Sequence, residues 1–225
     1  MNQFEHLKEE DSGEQEMKEI NDTDGGTINN NNNNIRRKVE PLVWIVGCSI
    51  IRRLHTHIRA QRLDESLGLR CEIRWAPDTG PWERLLPALR SLSASSSRAP
   101  DVVLLHLGGD SLLHEGRNRL GFLRLITRDL SECFRMFPGT RFLFSEILPR
   151  LRWRGQTGKS YGVERGRRWV NGRVCRFLAE RQMRRVRHRN IGLIHLCGDG
   201  VHLSPEGNQR LMSNLRDALQ EELRR

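Results

Sequence analysis

Two short runs, Leu42-Val43-Trp44-Ile45-Val46 and Val102-Val103-Leu104-Leu105, carry no polar side chain at all. A strand of that kind has no face to give to water, so it must be covered on both sides, and this is the habit of parallel sheets flanked by helices. Each run ends near a glycine turn, Gly47-Cys48-Ser49 and Gly108-Gly109-Asp110. After the first turn Ile50, Ile51, Leu54 and Ile58 fall on one helical face, with Arg52, Arg53 and Arg59 elsewhere. That spacing predicts a helix running to about Ala60.

The rest of the chain repeats the alternation. Cys71, Ile73 and Trp75 interleave with Arg70, Glu72 and Arg74, the period of a half-exposed strand, and Ala76-Pro77-Asp78-Thr79-Gly80 is a turn by composition. Pro81 to Leu92 reads as a helix distorted at Pro87, and Leu120 to Phe137 as a long helix with Leu123, Ile126, Leu130 and Phe134 inward. Phe142-Leu143-Phe144 begins a fourth strand, Trp169, Val170, Val174, Phe177 and Leu178 mark a further helix, Ile191 to Leu196 is a short fifth strand, and a terminal helix starts at Pro205. Five alternations predict an α/β chain: a three-layer, flavodoxin-like sandwich with a five-stranded parallel sheet and helices on both faces. The domain is expected over 41–225.

Residues 1–40 differ in kind. They are poor in aromatics, include the six-asparagine run Asn29 to Asn34, and within 1–34 carry net charge −7, a composition expected of a disordered tail. The remaining chain carries +17, and 150–189 alone holds 13 arginines and Lys159 against Glu164 and Glu180. A basic body favours acidic partners, nucleic acid first, with Arg165, Arg167, Arg168, Arg184, Arg185 and Arg187 as the residues that would meet phosphates. The alternative is a solvated arginine-rich helix face. Five widely separated cysteines without a C-x-x-C pair suggest neither a disulfide framework nor a zinc site, and His55 and His57, two apart, do not share a helix face. No metal or cofactor is expected. With no secretory signal and no long apolar run, an intracellular protein, cytoplasmic or nuclear, is expected, Arg36-Arg37-Lys38 being either a nuclear signal or a solvated junction.

Parallel strands collect their carboxyl ends on one rim, and there the chemistry concentrates. Ser49 follows a strand and opens a helix, where free N–H groups favour developing negative charge; it is either a nucleophile or the helix cap. Asp199-Gly200-Val201-His202 places a carboxylate three residues before an imidazole, close enough to hold Nδ1 while Nε2 faces a hydroxyl. His106 and His195, inside apolar segments, read as packed core histidines. Cys48, next to Ser49 at a helix start, is a second nucleophile candidate, and Leu113, Trp75 and Trp82 are either wall of an acyl pocket or core.

Taken together, Val43-Trp44-Ile45-Val46-Gly47-Cys48-Ser49, Leu105-His106-Leu107-Gly108-Gly109-Asp110-Ser111, Phe144-Ser145-Glu146-Ile147-Leu148-Pro149-Arg150 and Asp199-Gly200-Val201-His202 resemble the blocks of the SGNH (GDSL-type) hydrolases. The chain is most similar to the SGNH-like domains of vertebrate tyrosine-recombinase retrotransposons, over about residues 41 to 222. The resemblance implies Ser49 as nucleophile, His202 as general base and Asp199 as the group orienting it, with a small ester as substrate. It also implies an oxyanion hole from the N–H of Ser49, the N–H of Gly80 and the side chain at position 110.

That last position departs from the family. Where the family block G-x-N-D supplies an asparagine amide, this chain has Asp110, and Cys48 stands where the family has an aspartate. An ionised carboxylate repels the oxyanion, and loss of one such donor costs about 2.7–4 kcal/mol, or 10²–10³ in rate. Two readings follow: an esterase with a Ser–His–Asp triad, or a catalytically weak SGNH fold serving as a basic nucleic-acid-binding module of retroelement origin.

Overall fold

The computed structural model describes residues 39–112, 118–153 and 161–225. Five strands, β1 (Leu42–Gly47), β2 (Glu72–Ala76), β3 (Val102–His106), β4 (Arg141–Ser145) and β5 (Arg184–Val186), form one sheet in the order β2-β1-β3-β4-β5, every neighbouring pair parallel. The connecting helices are α1 (Ser49–Ala60), α2 (Leu85–Ala94), α3 (Arg119–Met136), α4 (Tyr161–Ala179) and α5 (Pro205–Leu223). α1 packs against α5, while α2 and α4 pack against α3, so helices cover both faces of the sheet.

The two wholly apolar runs are the inner strands β1 and β3, and every residue of both is buried. They lie side by side, so the direction of chain progression across the sheet reverses between them. In such sheets this is where ligands bind, at the carboxyl ends of the strands. Ser49 stands at the end of β1.

Two expectations shift. The fifth strand is Arg184–Val186, not Ile191 to Leu196. As an edge strand it buries only Val186, and its arginines pair with Glu221, Glu222 and Glu146, so no apolar pattern marks it. The apolar stretch 191–196 instead holds a 3₁₀ turn, Leu193–His195, whose Leu193 and Ile194 face solvent. The helix expected from Pro81 divides into a 3₁₀ turn, Trp82–Arg84, and α2. Pro87 thereby falls in the first turn of α2, where its missing N–H has no intrahelical role.

All five cysteines are free, and four are buried. Among the described residues no helix is long and apolar enough to cross a membrane.

Candidate active site

The chain turns sharply after β1. At Gly47 any Cβ would stand 2.2 Å from the Ile51 side chain, so only glycine lets α1 begin two residues later with Ile51 packed over the turn. Cys48 is the residue flanking the helix, and Ser49 is its first residue, with its backbone N–H in the turn that lacks intrahelical acceptors. Ser49 does not cap the helix: its Oγ turns the other way, to His202.

The contact is direct. His202 Nε2 lies 2.9 Å from Ser49 Oγ, and His202 Nδ1 lies 2.7 Å from Asp199 Oδ2. Asp199 Oδ1 accepts the backbone N–H groups of Val201 and His202, each at 2.9 Å. These two bonds, with the imidazole, hold the Asp199 carboxyl well below the usual carboxylate range, and Arg53 Nη1 adds a cation 3.4 Å from Oδ2. An ionised Asp199 accepts from Nδ1–H, which leaves Nε2 bare to accept the Ser49 hydroxyl proton. The turn is itself anchored, because Cys197 N–H donates to His202 O and Ser204 caps α5 immediately after.

The other rim turns converge on the same place. Thr79 N–H donates to Gly47 O at 3.0 Å, drawing Gly80 to the serine turn. Ser111, fully buried, accepts from Trp82 N–H at 2.9 Å and donates to Glu83 at 2.7 Å, which ties the Gly108–Asp110 turn to the chain just beyond Gly80. Cys48 N–H donates to the carbonyl of His106 at the end of β3.

Asp110 is partnered. Its Oδ1 accepts from Arg150 Nη1 at 2.8 Å, and the Arg150 side chain is only 4% exposed against 37% for Asp110. Arg150 stands in the segment after β4, which is held at Ile147 by both polar atoms of Asn171 and at Leu151 and Arg152 by hydrogen bonds to Gly200 O in the His202 turn. Beside it opens a cleft of about 600 Å³, with Pro149, Leu151, Tyr161, Ile191 and Leu193 as its apolar lining.

Other candidates fall elsewhere. Burial pushes the Cys48 thiol up, so it stays protonated rather than competing as a nucleophile. Trp82 is wholly buried against Phe122 and Phe144, which makes it core, while Trp75 stacks on His55. Leu113 and Lys159 lie outside the described residues. His106 and His195 are buried as expected; His106 Nδ1 meets Ser145 Oγ at 2.7 Å, and Ser145 Oγ meets His188 Nε2 at 2.8 Å. Of the basic set, Arg167 and Arg168 pair with Glu164, Arg184 with Glu221 and Glu222, and Arg185 with Glu146, leaving Arg165 and Arg187 exposed. Among the described residues no group of three His, Cys, Asp or Glu side chains is arranged to hold a metal ion. Sequence reasoning missed the role of Ser111 and of Arg150, although a carboxylate at position 110, on a rim turn, was itself a signal that a cation would stand nearby.

No protein-family model and no curated protein matches this sequence, yet solved structures match its fold. A GDSL-like lipase from Bacteroides thetaiotaomicron superposes with a TM-score of 0.59 at 14% identity, over 80% of this chain and 88% of that one. The psychrotrophic esterase EstA from Pseudoalteromonas sp. superposes at 0.56 and 13% identity over 83% and 100%, and a carbohydrate esterase family 3 protein from Talaromyces cellulolyticus at 0.55 and 14% over 82% and 98%. The fold is that of the SGNH hydrolases. At such identities the likeness concerns architecture, and the chemistry rests on the rim residues.

Proposed function

We propose that this protein is a serine esterase of the SGNH type, with Ser49 as nucleophile, His202 as general base and acid, and Asp199 as the orienting carboxylate. The observation that carries the reading is the unbroken hydrogen-bonded line from Ser49 Oγ through His202 to Asp199, at 2.9 and 2.7 Å.

Ser49 Oγ attacks the acyl carbonyl while His202 Nε2 takes its proton, and the resulting imidazolium is stabilised by Asp199. The charge developing on the carbonyl oxygen is met by the N–H of Ser49, in the first turn of α1, and by that of Gly80. The tetrahedral adduct collapses when His202 returns the proton to the departing alcohol. Water, deprotonated by the same nitrogen, then cleaves the acyl-serine to the free acid. For one arm of the ester the proposed place is the cleft beside Arg150, whose wall combines Leu151, Tyr161, Ile191 and Leu193 with Glu164, Arg167 and Arg168.

Four of the six arginines set apart for nucleic acid are committed to carboxylates of the same chain, so no observation favours the binding-module reading over catalysis. The test is turnover of short p-nitrophenyl acyl esters by the full chain beside Ser49→Ala. Hydrolysis that disappears with the serine is expected; equal rates from both proteins would end the proposal.

A further inference from the structure

We propose that Arg150 is a positioning residue of the oxyanion side of the site: it neutralises and holds Asp110, so that a carboxylate can stand where the SGNH pattern has an amide. The inference rests on the esterase reading and adds to it a residue outside the four blocks' reacting groups.

The guanidinium is buried, and burying a charge is costly unless every donor is met. Here only Nη1 is met, by Asp110 Oδ1 at 2.8 Å, while Nε and Nη2 are buried without a hydrogen-bond partner. A shape-matched apolar side chain would serve packing at least as well, so packing does not account for the arginine. Its place does.

At Gly109 any Cβ would stand 2.3 Å from Nη2 and 2.7 Å from Cζ of Arg150, so the guanidinium lies directly against the backbone of the Gly108–Asp110 turn. From there its field reaches the serine turn. Burial raises the Cys48 thiol pKa, the charge of Asp110 adds to that rise and the charge of Arg150 opposes it, which puts both members of the pair within electrostatic range of the residue preceding Ser49. The segment carrying Arg150 is hydrogen-bonded through Leu151 and Arg152 to the His202 turn, so its position is tied to that of the base.

The consequence is electrostatic. An isolated Asp110 carboxylate would oppose the negative charge that forms on the acyl oxygen; paired with Arg150 it presents a neutral, oriented group instead. Arg150 acts through Asp110 and is not required to touch the substrate.

The experiment is a cycle of four full-length proteins, wild type, Arg150→Met, Asp110→Asn and Asp110→Asn/Arg150→Met, each assayed for kcat and KM on a short acyl ester and for its thermal unfolding midpoint. Arg150→Met, which leaves the carboxylate unneutralised, is expected to lower kcat about 10²-fold with KM nearly unchanged. The double variant, neutral at both positions, is expected to recover at least about tenfold over Arg150→Met, in line with the loss of the repelling charge. A structural role alone would make kcat follow the unfolding midpoint and would give no rescue. Should Arg150→Met not fold, Arg150→Lys takes its place: the retained charge keeps kcat within about tenfold of wild type, and a 10²-fold fall overturns the proposal. A wild type no faster than Ser49→Ala overturns the esterase reading and this inference together. An active wild type whose Arg150→Met variant is equally active, or a double variant no better than Arg150→Met, overturns this inference alone.

Discussion

The two halves of the site are built on opposite principles. On the Ser49–His202–Asp199 side every polar group has its partner at hydrogen-bond distance, and the backbone of the Asp199 turn satisfies the carboxylate before the imidazole does. On the Gly109–Asp110–Arg150 side a half-exposed carboxylate meets a buried guanidinium that keeps two nitrogens unpartnered. The Ser49 half is held by hydrogen bonds within the Asp199 turn and by one that spans 153 residues to Ser49, whereas the Asp110 half adds to the Ser111 bonds a charge pair between residues 40 apart. Disruption of the first should abolish chemistry; disruption of the second should weaken it in a graded, compensable way.

The largest effect is expected at the nucleophile. Ser49→Ala should lower kcat by as much as about 10⁶-fold, to whatever rate remains from binding and the oxyanion donors, with the fold intact by circular dichroism. Next comes Asp199→Asn. Its side-chain oxygen can still accept from Val201 and His202, but the amide would donate to His202 Nδ1 and leave the proton on Nε2, facing the serine. A fall of about 10⁴ in kcat with an unchanged unfolding midpoint is expected from steady-state kinetics beside thermal denaturation.

Gly109→Ala probes the other half. The methyl group must displace the Arg150 guanidinium, so kcat should fall about 10²-fold, and the same change made in an Arg150→Met background should cost little more. Equal losses in both backgrounds would mean that the turn itself, and not the arginine, needs the glycine.

The smallest effect concerns the floor beneath both halves. Burial lowers the pKa of His106 and of His188 to about 3, so both stay neutral in the folded chain while each would take up a proton near pH 6.5 when unfolded. The unfolded state then binds more protons, so stability is complete above about pH 6.5 and declines as the pH falls toward about 3. Between pH 7 and pH 5 the loss should be about 2 kcal/mol per histidine, measured by urea unfolding, and replacing His188 with Gln should remove about half of it.

The sheet was legible because its inner strands have no polar face: Leu42–Val46 and Val102–Leu105 admit little besides a parallel arrangement covered on both sides. The edge strand was not, since Arg184 and Arg185 carry charges whose partners, on α5 and after β4, are distant in sequence. Leu193 and Ile194 misled for the converse reason, being apolar yet exposed. In the site, Asp199 and His202 were readable as a pair because three residues of one turn bring carboxylate and imidazole into reach, and their meeting with Ser49 followed from strand ends sharing a rim. Arg150 carries no signal of its own in the sequence beyond closing the Phe144–Arg150 stretch. Its burial against Gly109 brings together segments after β3 and after β4, a meeting that residue order does not express.

The central claim, that Ser49 is an activated nucleophile, is tested most directly by a reactive fluorophosphonate followed by intact-mass and peptide mass spectrometry. One phosphonyl group per chain, mapped to Ser49, absent in Ser49→Ala and formed far more slowly in His202→Ala, is the predicted result. A wild-type protein that stays unmodified, or an adduct at Ser49 formed equally fast without His202, would contradict it.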